Sequence, residues 1–215
     1  MRLYSYYRSS AAYRVRIALN LKQIEHSIEP VNLLKKEHKS PNYLAKQPQG
    51  LVPCLETDKG QLLAQSGAIL SYLDSLYPHA KLLPADPFQA AKIQSVVDMI
   101  ACDIHPVCNL RILNYLTDIL TVDSEQKLAW YRHWIVIGFE ALETLLNKTQ
   151  YCFGEQPTLA DVYLIPQVFN ALRFEVDMAS FPKIMNAYQN CNQLDAFIDA
   201  KPENQVDAMQ PALKT

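Results

Sequence analysis

Leu3-Tyr4-Ser5-Tyr6-Tyr7-Arg8-Ser9-Ser10-Ala11-Ala12-Tyr13-Arg14-Val15-Arg16-Ile17-Ala18-Leu19 is the stretch around which the rest of the chain is arranged. Leu3 to Tyr6 reads as a short strand, rich in aromatic residues that suit a pleated surface. Val15, Ala18 and Leu19 then fall at helical spacing. The hydroxyls of Ser9 and Ser10 therefore sit where a strand ends and a helix begins. Free backbone N–H groups and the positive end of the helix dipole gather there, which favours an anion. A plain N-cap is the other reading of either serine. Arg8 beside them argues for the anion, because a cap needs no neighbouring cation.

Outward from that stretch, the first third alternates. Ser27 to Asn32 reads as a strand whose Pro30 suits a sheet edge. Ser40-Pro41 opens a short helix to about Lys46, and Gln47-Pro48-Gln49-Gly50 is a turn. Pro53 to Thr57 and Gln61 to Ala64, joined by Asp58-Lys59-Gly60, form a hairpin. Gln65-Ser66-Gly67 opens a helix to about Leu76. The order βαβαββα implies a small mixed sheet covered by helices on both faces. Residues 1–78 thus read as an α+β domain, 79–86 as a proline-bearing linker and 87–215 as an all-helical domain. Within the latter, a helix capped by Asp86-Pro87 meets Pro106, where it must kink or restart. Asp123 to Gln126 and Thr158 to Asp161 are capping-box patterns. The helix after Asp123 puts Leu128, Trp134, Gly138, Ala141, Leu142 and Leu145 on one side, and the tail after Pro202 is expected to fray.

Composition narrows the function classes. The chain has 215 residues, 49% hydrophobic and 20% charged, ordinary for a soluble globular protein. A net charge of −2 excludes a strongly basic nucleic-acid binder. No apolar run reaches membrane-spanning length, and no leader pattern is visible. The five cysteines (54, 102, 108, 152 and 191) include no C-x-x-C pair. They read as small buried hydrophobes in a reducing cytoplasm, not as a disulfide framework, a metal site or a dithiol redox centre.

Six stretches in order carry a family resemblance. They are Tyr7-Arg8-Ser9-Ser10 with Arg14-Val15-Arg16-Ile17-Ala18-Leu19, Gly50-Leu51-Val52-Pro53, Gln65-Ser66, Asp103-Ile104-His105-Pro106 with Asn109-Leu110-Arg111, Pro157 to Asp161, and Pro166-Gln167-Val168 with Arg173-Phe174 and Val176-Asp177. The chain resembles the glutathione transferases, and within them the zeta class of maleylacetoacetate and maleylpyruvate isomerases. The resemblance covers nearly the whole chain. It implies a thioredoxin-like first domain, a helical second domain carrying the hydrophobic-substrate side of the cleft, and a homodimer. One departure stands out: the family usually has Ser-Ser-Cys at the helix start, and this chain has Ser9-Ser10-Ala11.

By that resemblance the cofactor is glutathione, whose thiolate adds to a double bond, allows rotation and is eliminated. The reaction converts maleylacetoacetate to fumarylacetoacetate in tyrosine and phenylalanine catabolism. Maleylpyruvate or haloacids are alternative substrates, and a non-catalytic glutathione-fold binding protein is the alternative of another class. A hydroxyl donor at a helix N-terminus lowers a thiol pKa; Ser9 is the first choice and Ser10 the second. Val52, before an expected cis Pro53, would pair with the cysteinyl part of glutathione through its backbone. Gln65 and Ser66 would receive the γ-glutamyl carboxylate, and His38 aligns near the glycyl end. His105, Asn109, Leu110 and Arg111 are expected glutathione contacts, with Asn109 sharing a helical face with His105. Ala11 and Arg14 complete that set, although Arg14 and Arg16 read as largely structural. Arg8, Arg111 and Arg173 are the cations a carboxylate-bearing ketone asks for, and Arg173, in an apolar neighbourhood, is expected to be buried with a partner.

Overall fold

The computed structural model describes residues 1–208. Strands β1 (Arg2–Ser5), β2 (Ser27–Pro30), β3 (Cys54–Glu56) and β4 (Leu62–Ala64) form one sheet in the order β2-β1-β3-β4. β1 pairs parallel with β2 and antiparallel with β3, and β3–β4 is the expected hairpin. Pro30 ends the edge strand, where its missing N–H interrupts no ladder between two neighbours. Helices α1 (Ser10–Leu21), α2 (Pro41–Leu44) and α3 (Ser66–Leu76) complete the expected βαβαββα order.

The two-residue alternation of strands sorts this unit's core into two layers. Leu3 and Leu55 point to one face and pack with Val15, Leu19, Ile24, Ile69 and Leu73 from α1, the turn after it, and α3. Tyr4 and Cys54 point to the other face and pack with Val31 and Tyr43. Each core leucine or isoleucine so buried contributes about 1.5–3 kcal/mol. Lys22, at the end of α1, is 1% exposed. Its ammonium donates to Asp74 Oδ1 (2.9 Å), Tyr77 O (3.0 Å) and Ala80 O (2.9 Å), so three donors meet three acceptors.

Residues 82–192 form a second, helical unit. It contains α4 (Pro87–Asp98), α5 (Leu110–Asp118), α6 (Ser124–Leu145), α7 (Leu159–Arg173) and α8 (Pro182–Cys191). α7 is buried on every side from Leu159 to Val168, as its apolar circumference requires. Buried Asp161 anchors its start: Oδ2 accepts from the Thr158 N–H and hydroxyl, and Oδ1 from the Cys152 N–H. Burial pushes the Asp161 carboxyl upward, against those hydrogen bonds.

Three expectations are corrected here. The buried stripe of α6 is Tyr131, Ile135, Phe139 and Leu142, a face rotated from the expected one; of the expected set Leu142 alone is buried, and Leu145 is 44% exposed. At Pro106 the helix ends and restarts as α5, as expected there, and just before it the chain widens into a π-helical stretch, Met99–Ile104. A Cβ on Gly138 of α6 would collide with the Ile104 side chain, so this stretch and α6 touch at closest approach. Finally, residues 193–208 group with residues 1–81, not with the helical unit. There α9 (Asp195–Ile198) buries Phe197, and the Asn20 amide donates to Ala196 O (3.0 Å). The expected fraying after Pro202 does not hold up to residue 208: Pro202 is buried and opens a 3₁₀ turn. Residues 209–215 lie outside the described residues.

Candidate active site

The turn Tyr6-Tyr7-Arg8-Ser9 links β1 to α1 and closes with the Ser9 N–H donating to Tyr6 O (2.9 Å). Ser9 is the N-cap of α1, and its Oγ accepts from the Ala12 N–H at 3.2 Å. That bond uses the oxygen and leaves the hydroxyl proton to donate elsewhere. Ser9 is half-buried, whereas Ser10, already inside the helix, is 7% exposed. The Arg8 guanidinium is exposed and lies over the Tyr7 ring, 5.0 Å from its centre.

Within the same unit the loop before β3 is fixed from several sides. The Val52–Pro53 peptide is cis. The Tyr43 hydroxyl donates to Leu51 O (2.7 Å), and Val52 packs against the Tyr4–Tyr43 layer, outside the β3 ladder. Gly50 has φ +60°, and a Cβ there would stand 2.8 Å from His38 O, so only glycine fits. The 3₁₀ turn Glu37–Lys39 thus leans on this loop. His38 is half-buried, with Nδ1 buried and unpartnered among the described residues. Burial, then the charges of Lys39 and Lys36, lowers the His38 pKa from its ordinary 6.5. Lys39 Nζ sits 3.4 Å and 3.3 Å from the carbonyls of Gln49 and Gly50, a cation at this end of the site that motif reading passes over.

At the start of α3, Gln65 adopts φ +69° and ψ 120°, a conformation costing a non-glycine residue about 1–3 kcal/mol. Its side-chain amide donates to Gln49 Oε1 (2.7 Å). Behind it, the 2%-exposed Arg14 reaches the Ser66 hydroxyl at 3.4 Å. The free N–H groups of α3, the Ser66 hydroxyl and the Arg14 charge therefore converge on one helix start, which is chemistry for a carboxylate.

The remaining expected residues belong to the helical unit. His105 follows the π-helical stretch, while Asn109 is the N-cap of α5, its Oδ1 accepting from the Arg111 N–H (2.9 Å). The expected shared helical face of His105 and Asn109 is corrected, because the helix is broken between them. Leu110 is 46% exposed and Arg111 is exposed. Arg173 is exposed, not buried: as the last residue of α7 its stem leaves the apolar helix and its guanidinium lies over Phe174, 4.8 Å from the ring centre. Of the cysteines Cys102 is exposed and the other four are buried, which corrects the uniform burial expected for them.

A cavity of about 290 Å³ adjoins the β1–α1 turn, lined by Tyr6, Tyr7, Pro30, Asn32, Glu37 and Asp207. Among the described residues no three His, Cys, Asp or Glu side chains gather into a possible metal site.

Residues 3–81 match the glutathione S-transferase N-terminal domain. The chain is 45% identical to a maleylacetoacetate isomerase of Pseudomonas aeruginosa over 209 residues, 96% of this chain and 98% of that protein. A solved holo structure of a maleylpyruvate isomerase, described as a bacterial zeta-class glutathione S-transferase, superposes with a TM-score of 0.95 at 42% identity; the match covers 97% of this chain and all of that one. A maleylacetoacetate isomerase from Methylobacterium extorquens AM1, solved with bound malonate and GSH, superposes at 0.94 with 34% identity, over 98% of this chain and all of that one. Identity of this extent, over whole chains on both sides and on the same βαβαββα-plus-helical architecture, places the chain in the glutathione S-transferase family, on the branch that holds the zeta-class maleylacetoacetate and maleylpyruvate isomerases.

Proposed function

We propose that the protein is a glutathione-dependent cis–trans isomerase that converts maleylacetoacetate to fumarylacetoacetate, a step of tyrosine and phenylalanine catabolism, as a cytoplasmic homodimer. The observation that carries the reading is the half-buried Ser9 hydroxyl at the start of α1, its oxygen capping the helix and its proton left to donate. Three features of the first unit support this reading: the cis peptide after Val52, the Arg14–Ser66 contact at the start of α3, and a His38 Nδ1 with no partner among the described residues, next to Lys39.

Bound glutathione supplies a thiolate that adds reversibly to the conjugated alkene, so that the former double bond turns as a single bond before the thiolate leaves. Ser9 holds that sulfur charged by donating its hydroxyl hydrogen, with Ser10 as second choice; Ala11 stands where the family usually has cysteine. Val52 holds the cysteinyl backbone, Gln65 and Ser66 the γ-glutamyl end and His38 the glycyl end. His105, Asn109, Leu110 and Arg111 supply further contacts from the helical unit. Arg8, Arg111 and Arg173 hold the substrate carboxylates and stabilise negative charge on the ketone oxygen. A dicarboxylate, malonate, lies with GSH in one relative, which supports that substrate class.

Maleylpyruvate is the second reading, favoured by the 0.95 superposition on an enzyme of that name. The test is to follow the loss of each cis substrate with and without glutathione. Conversion of maleylacetoacetate that needs glutathione and outpaces maleylpyruvate supports the first reading; the reverse order selects the second. Absence of binding at millimolar glutathione removes both.

A further inference from the structure

The backbone of Tyr7 is held on both sides, by Asp207 from 200 residues away and by Arg16 from nine. Its N–H donates to Asp207 Oδ2 at 3.0 Å, and its C=O accepts from Arg16 Nη2 at 3.1 Å. Arg16 is 1% exposed and spends its other donors on Ser5 Oγ (3.1 Å) and Ala200 O (2.9 Å). One guanidinium thus ties the end of β1, the following turn and the C-terminal segment together. Burial lowers the Arg16 pKa to about 10, and the Tyr13 and Asp207 charges act against that. The turn held in this way is the one that presents Arg8 and Ser9, two residues beyond the clamped peptide.

We propose that Asp207 is a positioning residue of the site: together with Arg16 it clamps the Tyr7 peptide and so fixes where the Ser9 hydroxyl stands. The inference rests on the isomerase reading above. Tyr7 is 5% exposed, so without Asp207 its N–H is left in a nearly dry environment and the turn relaxes toward another acceptor or water. A preorganised donor loses its value once it drifts by a fraction of an ångström. Glutathione binding through Val52 and Ser66 does not pass through this turn, so affinity and turnover separate.

The experiment compares the full-length parent with Asp207→Ala, Asp207→Asn and, as a control on the same segment, Glu203→Gln at an exposed position. Asp207→Ala is expected to lower kcat about tenfold, or about 1.4 kcal/mol, while the KM for glutathione stays within about twofold. The thiol pKa of bound glutathione, read by thiolate absorbance, rises in the same variant. Amide exchange at Tyr7 accelerates with no glutathione present. Asp207→Asn, which keeps an acceptor for Tyr7, recovers part of each effect, and Glu203→Gln matches the parent. If Asp207→Ala equals the parent in kcat, thiol pKa and Tyr7 exchange, the clamp is refuted and the isomerase reading stands. If the parent neither binds glutathione nor isomerises, that reading falls, and Tyr7 exchange decides the clamp alone: unchanged exchange in Asp207→Ala refutes it.

Discussion

Replacing Ser9 tests the proposal that its single hydroxyl combines two roles. As a cap, its Oγ accepts from the Ala12 N–H at 3.2 Å, a long bond. Its loss in Ser9→Ala is expected to cost about 0.5–1 kcal/mol of stability. In a chain of this length that lowers Tm by about 2–4 °C per kcal/mol. As a donor to a thiolate, the same hydroxyl is worth about 3 kcal/mol, or about a hundredfold in kcat. Ser9→Ala loses both. Ser9→Asp separates them: aspartate caps a helix as well as serine does, but an ionised carboxylate donates nothing and repels a neighbouring thiolate. Its Tm should therefore equal or exceed the parent's, while kcat falls at least as far as in Ser9→Ala. The assay is a pH–rate profile with glutathione saturating, alongside a thermal melt of each variant. If Ser9→Asp turns over within a few-fold of the parent, the hydroxyl is only a cap. Thiolate stabilisation then passes to Ser10 or to the free N–H groups of α1.

Three further outcomes are expected. Treating the native protein with a maleimide should label one cysteine, Cys102, and leave isomerase activity in place, because the other four thiols are buried and burial pushes Cys54 up to about 11 and Cys108 to about 12; loss of activity on labelling Cys102 alone would contradict this. Gly138→Ala gains about 1 kcal/mol of helix propensity but drives a methyl into the 1%-exposed Ile104, so a net loss of about 1–2 kcal/mol should appear in denaturant melts and be relieved by Ile104→Ala. The His38 pKa is lowered in the folded state, so the unfolded chain takes up that proton first, and stability falls as the pH drops below about 6.5. His38→Gln should flatten that part of the stability–pH curve, and an unchanged slope would exclude His38 as its source.

The elements that place the site were legible because their signals are local. Ser9 before a helical run, Ser40-Pro41, the hairpin around Asp58-Lys59-Gly60 and Thr158 with Asp161 each specify a start or a turn within about four residues. What escaped depends on distant partners or on geometry without a side-chain signature. Asp207 meets the Tyr7 N–H from 200 residues away, and no spacing rule joins them. The left-handed backbone of Gln65 is imposed by the junction of β4 with α3, where sequence statistics would ask for glycine. The π-helical stretch Met99–Ile104 has no motif of its own, and the helix break that follows it, at Pro106, takes His105 and Asn109 off a common face. The rotation of the buried face of α6 follows from an apolar set wide enough to offer two stripes, between which packing on neighbouring helices chose. Arg173 was misplaced because an apolar neighbourhood in sequence became a helix terminus in space.

The grouping of residues 193–208 with residues 1–81 bears on how the chain is made. A ribosome releases the whole of Leu82–Asn192 before the segment that covers α1 exists, a wait of order ten seconds at about 5–20 residues per second. Throughout that interval the nascent sheet and α1 lack Ala200 O for Arg16 and Ala196 O for Asn20. The first unit to emerge is thus the last to close, and the helical unit has time to mature before the first is finished. A stop codon near residue 192 would leave behind a half-sealed sheet whose Arg16 charge has lost one of its three acceptors, and such a truncated chain is a natural client for chaperones and proteases.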